Sequence, residues 1–270
     1  MIKIYKQIAK RFKKRQFSKR VQLVLVTIIL TLGLMAAQLA SFEERGLMIV
    51  GLSILSLFLS AWALRENLKG VKWITLLILP PFFSMAVGFF YFLLPVRWLT
   101  RLPFAGLFAL GMYALLLTEN IYNVATERSI GLLRVGQSVG LLLTLITYFL
   151  LIQTILSFHF PSVLNFILIF IFSYFLTLQS LWSVGLGEKF KKETLYSSVI
   201  SLSLAELVFI FSFWPVKLTV EALFLTTVFY VLIAATQQYL LGRFFKKTIN
   251  ELLTVLLAVF LLLIVTTSWR

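Results

Sequence analysis

The chain has 270 residues, of which 60% are hydrophobic and 13% charged; soluble domains carry roughly 25% charged residues, so a water-soluble globular fold is excluded and an integral membrane protein is indicated. The net charge of +15 does not point to nucleic acid, because 9 of the 25 basic residues fall in the first 20 positions and the others sit in short loops. That is the pattern of topology signals and contact with anionic lipid.

Residues 1–20 read MIKIYKQIAKRFKKRQFSKR. Tyr5, Ile8, Ala9 and Phe12 keep helical spacing among Lys and Arg. The segment reads as a basic cytoplasmic tail, either an amphipathic helix lying on the inner leaflet or a tail that only fixes orientation. It does not read as a cleaved signal peptide, since the apolar run that follows is too long and no A-x-A site precedes the charged turn.

Residues 21–270 read as a single transmembrane helical domain. Nine stretches are each near the ~20 residues a bilayer requires. They are Val21–Ala40, Gly46–Leu64, Trp73–Leu94, Leu102–Ala125, Gly136–Leu156, Ser162–Val184, Tyr196–Trp214, Leu218–Leu241 and Leu252–Ser268. The predicted fold is therefore an all-α polytopic membrane helix bundle of about nine helices, with the N-terminus cytoplasmic and the C-terminus outside. Charge supports that count: in this orientation 20 of the 25 basic residues face inward, as the positive-inside rule expects. Tryptophan supports it too. Trp62, Trp73, Trp98, Trp182, Trp214 and Trp269 all fall at predicted helix ends, where an amphipathic ring prefers to sit.

The stretch from Leu115 to Gly140 carries more polar groups than any other apolar region. In a helix over Leu102–Ala125, Glu119, Tyr122, Asn123 and Thr126 fall at i, i+3, i+4 and i+7 and share one face, with Asn120 beside them. One reading is that these groups reach interfacial water. The other is a polar pocket on the cytoplasmic side, with Arg128 or Arg134 as countercharge. Glu206 lies in SLSLAELVF, near the middle of the seventh span, where an ionised group costs on the order of 2.5–3.5 kcal/mol. It is expected to be protonated or to bond a partner such as Ser201, Ser203 or a neighbouring helix. Pro80 and Pro81 interrupt the third span, which marks either a site-lining broken helix or a kink satisfied by its neighbours. Gly136-x-x-x-Gly140 reads as close helix packing. His159 reads as a plain loop residue, and Gln153, Asn165, Gln179, Gln237 and Gln238 as interhelical hydrogen bonders.

The inventory narrows the chemistry. Cysteine and aspartate are absent, all ten acids are glutamate, and there is one histidine. Disulfides, thiolate metal sites and bis-imidazole haem are thereby excluded, and no cofactor is expected. Without G-x-x-x-x-G-K-[ST] there is no P-loop. A serine protease is disfavoured for want of a Ser/His pair in helices.

The stretch TENIYNVATERSIGLLRVG, with its apolar flanks, resembles a segment of an uncharacterised bacterial family of multi-pass membrane proteins. The motif that carries the likeness is N-I-Y-N-V-A-x-x-R followed by L-L-R. The resemblance implies a bacterial cell membrane and no established activity, so it transfers no functional residue. Two functional readings remain in front. One is a non-enzymatic membrane component that binds a partner or lipid through the polar segment between the fourth and fifth spans. The other is a small transporter or channel using Glu206, the polar face around Glu119 and the proline break. An enzyme ranks behind both. Expected partners are the bilayer, anionic lipid at the basic tail and other membrane proteins, not nucleic acid.

Overall fold

The computed structural model describes residues 18–40, 42–65, 68, 70–94, 98–124, 130–187, 191–243 and 245–267. Residues 1–17 of the basic tail, and Arg128, lie outside that set. Helix is the only regular structure among the described residues: α1 (Lys19–Leu39), α2 (Phe42–Leu64), α3 (Lys72–Thr75), α4 (Leu79–Tyr91), α5 (Trp98–Asn123), α6 (Ile130–Ser157), α7 (Ser162–Gly185), α8 (Lys191–Phe211), α9 (Leu218–Leu240) and α10 (Lys246–Thr266). With α3 and α4 taken as one span, nine helices among the described residues are long and apolar enough to cross a bilayer. The fold is a polytopic all-α bundle, and the apolar runs that set it are those read from the sequence.

Several helices extend past the apolar stretches. The fifth span starts at Ile130 rather than Gly136, and the seventh starts at Lys191 rather than Tyr196. Hydropathy finds only the part of a helix that is apolar. A helix continues as long as its backbone hydrogen bonds do, and long Lys and Arg side chains reach water from inside a membrane end. At the other end the seventh span stops at Phe211, and residues 212–214 form turns.

Burial separates a centre from a rim. The most apolar stretch of the third span (α3 and α4) is 67% buried and that of α6 56%, against 11% for α10. Helix α4 packs against α2 and α6, α6 also against α5, α7 and α9, and α10 against α9. Between α6, α7 and α9, Tyr148 stacks on Phe229 with ring centroids 3.9 Å apart and shares a hydrogen bond of 3.1 Å with Ser173. Both rings are fully buried.

The proline pair sits at the start of α4, in the second and third helical positions, where the N–H groups have no helical partner in any case. Residues 76–78 form a tight turn between α3 and α4. Ser84 donates to Pro80 O at 3.0 Å and Ser53 to Pro81 O at 2.9 Å. Leu76 to Pro81 are all buried. The interruption is thus packed and hydrogen-bonded by its neighbours.

The tryptophan pattern needs one correction. Trp62 and Trp73 are exposed, but Trp182 is 1% exposed and donates from Nε1 to Gly187 O at 3.0 Å. It packs with Leu64, Leu68, Leu76, Leu77 and Tyr122 in a small second core. Its indole N–H closes the C-terminal end of α7, where carbonyls lack helical donors, so this ring serves the bundle and not the lipid interface.

The orientation of the bundle follows from a labelling experiment in this Cys-free chain. Single cysteines replacing His159 and Lys217 are expected to react with a membrane-impermeant maleimide in intact cells. Those replacing Lys191 and Arg243 should react only after permeabilisation. Outside labelling at position 191 would reverse the assignment.

Candidate functional site

Antiparallel spans joined by short loops bring the C-terminal ends of α2, α5 and α7 to one end of the bundle, with the N-terminal ends of α1, α3 and α6. The last carbonyls of a helix have no donor within it, so this end must supply donors from elsewhere. The sequence does so with long polar side chains. Lys19 Nζ donates to Ala63 O at 3.1 Å, and Asn123 Nδ2 to Leu64 O at 2.7 Å. Lys72 Nζ donates to Asn123 O at 2.8 Å, a cation placed at the negative end of α5. Gln137 Nε2 reaches Ser183 O at 3.0 Å, and Gln237 Nε2 reaches Ser180 O at 3.0 Å and Ser180 Oγ at 3.1 Å.

One turn inside this belt lies Glu119. Its side chain is 0% exposed. Gln179 on α7 donates from Nε2 to Glu119 Oε1. The second carboxyl oxygen, Oε2, has no hydrogen-bond partner, and neither does Gln179 Oε1. Next to it, Tyr122 donates its hydroxyl to Gly136 O on α6 at 2.9 Å. That approach requires glycine. A Cβ on Gly140 would fall onto the Tyr122 hydroxyl and 3.2 Å from Thr118 Cγ2, and one on Gly136 would come within 3.2 Å of Ile121. The G-x-x-x-G pair thus lets α5 lie close enough to α6 for the tyrosine to bond its backbone. A small space remains between α5, α6 and α7. It is walled by Glu119, Tyr122, Thr144, Gln179, Ser180 and Ser183, with Leu79 just after the α3–α4 turn, and admits a water-sized centre over about 10 Å³. That is the size of a one-water site.

Of the residues singled out from sequence, Glu119, Tyr122 and Asn123 are thus buried together, and Asn120 is half-buried. Arg134 is exposed while Glu119 is fully buried, so Arg134 does not provide the countercharge; the carboxyl is met by a neutral amide instead. Being helical from Ile130, α6 carries Arg134 on a turn nearer the bundle end and on its outer side. Glu206 is also exposed. Ser201 and Ser203 bond their own helix, at Ser198 O and Val199 O, and do not hold the glutamate. It lies five residues before the end of α8, about 8 Å along the axis, rather than mid-helix, and it faces out of the bundle. His159 is an exposed loop residue with φ of 51°.

Sequence reasoning placed Gln179 among general interhelical hydrogen bonders and did not pair it with Glu119. It also passed over Lys72, Thr144, Ser180 and Ser183, which carry no sequence pattern, and Glu221, which is 6% exposed in the first turn of α9. Among the described residues no three His, Cys, Asp or Glu side chains cluster as for a metal ion.

The model of a family described as a protein of unknown function, DUF5656, matches residues 24–266. No curated protein and no solved structure matches the chain.

Proposed function

We infer, for a chain that belongs to the DUF5656 family, a non-enzymatic membrane component that binds anionic lipid headgroups at the basic end of its bundle. The observation that carries this reading is the distribution of exposed cations. Arg20, Arg65, Arg134, Lys191, Lys192, Arg243, Lys246 and Lys247 are all exposed, and all lie at the end of the bundle that holds the polar belt. Each basic group near an anionic surface contributes about 1 kcal/mol. Because the belt satisfies the helix-end carbonyls internally, these outward cations are left available to headgroups. The deep polar groups are enclosed, and the space beside Glu119 is of one-water size, which supports a packed bundle over a conducting one.

The transporter reading has less support, because Glu206 and Glu119 do not share a path: one faces outward and the other is enclosed in the bundle. Lipid carried through purification from native membranes distinguishes the readings. Phosphatidylglycerol or cardiolipin is expected to be enriched over bulk lipid. Replacing Arg65, Arg134, Lys191 and Lys247 together by Gln should remove that enrichment. Lipid composition equal to bulk in the unaltered protein, or a protein co-purifying in its place, would refute the assignment.

A further inference from the structure

We propose that the space beside Glu119 is a binding site for one small monovalent cation of sodium size. The inference goes beyond lipid binding and concerns a different part of the molecule. It rests on which valences the wall has left over. Tyr122 has committed its proton to Gly136 O, Thr144 to Gly140 O at 2.8 Å and Ser183 to Ser180 O at 2.8 Å. Gln179 has turned its N–H toward Glu119 Oε1. Tyr122 and Ser183 also share a side-chain hydrogen bond, so what faces the space is Glu119 Oε2, Gln179 Oε1, the Thr144 oxygen and the remaining lone pairs of those two hydroxyls. Two of them, Glu119 Oε2 and Gln179 Oε1, have no partner within the protein.

Three species could meet such a wall. A water would satisfy two acceptors but leave the carboxylate charge in a buried site without a counterion, which is costly. A proton on Glu119 would neutralise the charge and leave most of the lone pairs unused. A cation answers both, and carboxylate, amide carbonyl and hydroxyl oxygens are the ligands hard cations prefer. Glu119 is the wall's single carboxylate, so one positive charge balances it, and a divalent ion would leave a surplus charge buried. The nearby ammonium of Lys72 is held by Asn123 O. Space for a single water-sized centre admits one such ion, and the strong field of a carboxylate oxygen favours the smaller sodium over potassium.

The test uses the full chain in neutral-lipid nanodiscs, with thermal unfolding followed in NaCl, KCl or choline chloride at equal ionic strength. A ligand that binds only the folded state raises Tm by mass action. At a hundredfold excess of sodium over its dissociation constant the expected rise over choline is about 5 °C, with a smaller rise in potassium. Glu119→Gln should abolish the sodium response. Thr144→Val and Ser183→Ala keep the carboxyl and should each move the sodium midpoint up about threefold or more, roughly the loss of one weak ligand contact. These two variants decide the matter if Glu119→Gln fails to fold; unmoved midpoints in both would overturn the site. Equal Tm in all three salts for the unaltered protein would mean that water or a proton alone occupies the space. A sodium response that survives in Glu119→Gln would place the ion elsewhere. An equal response to potassium would overturn the preference for sodium.

Discussion

Gly140→Ala is expected to destabilise the bundle by about 3 kcal/mol or more. The added methyl lands on the Tyr122 hydroxyl, and neither side can yield easily. Tyr122 is 2% exposed, and its ring is packed with Trp182, Leu64 and Leu76. Overpacking of this kind costs about 1–3 kcal/mol. Pushing the tyrosine aside also strands its hydroxyl, which costs a further ~1–3 kcal/mol. Two controls make the cause visible. Gly131→Ala, on the same helix, meets nothing within 4 Å and should be neutral or slightly stabilising, since alanine favours helix by ~1 kcal/mol over glycine. Adding Tyr122→Phe to Gly140→Ala removes the atom the methyl strikes, so the double variant should recover part of the loss, with a coupling of about 0.5–3 kcal/mol. Thermal and chemical unfolding in detergent of these three variants, of Tyr122→Phe alone and of the unaltered protein gives both the losses and the coupling. If Gly140→Ala unfolds with the unaltered protein, close approach of α5 and α6 is not what these glycines provide.

Glu119→Leu has the second largest expected effect. It leaves Gln179 buried with neither its N–H nor its carbonyl bonded, and a stranded buried polar group costs about 1–3 kcal/mol. In choline chloride, with no sodium bound, Glu119→Gln keeps the shape and leaves an amide–amide pair, so stability should change by less than ~1 kcal/mol. Replacing both partners, Glu119→Leu with Gln179→Leu, removes the stranded group and should recover most of the loss, because apolar replacement of a buried polar pair is often neutral or better. Three Tm values rank these variants. A double variant no better than Glu119→Leu alone would mean that Glu119 acts through something other than Gln179.

The nine spans, their alternation and the crowding of basic residues at one end were all legible in the order of residues. The bilayer core imposes length and apolarity on every crossing segment, and those are properties of contiguous sequence. The same holds for the shared face of Glu119, Tyr122 and Asn123, which follows from helical spacing, and for the packing role of Gly136 and Gly140. What spacing does not contain is the direction a face takes within the bundle. Glu206 and Glu119 are each an acid set within a helix long and apolar enough to cross a bilayer. One faces outward because α8 turns that side away from its main neighbour, α7, and the other is enclosed because α5 lies against α6 and α1, with Gln179 reaching across from α7. Likewise Gln179 stands 60 residues from Glu119, and the chain between them gives no sign of the pairing. Trp182 reads as an interfacial ring until the ends of α2, α3 and α5 close over it. Length, apolarity and charge are summed along the chain, so the sequence determines the class and the spans. Contact, burial and unused hydrogen-bonding valence depend on which helices become neighbours, and that was decided only when α4 and α6 took the centre of the bundle.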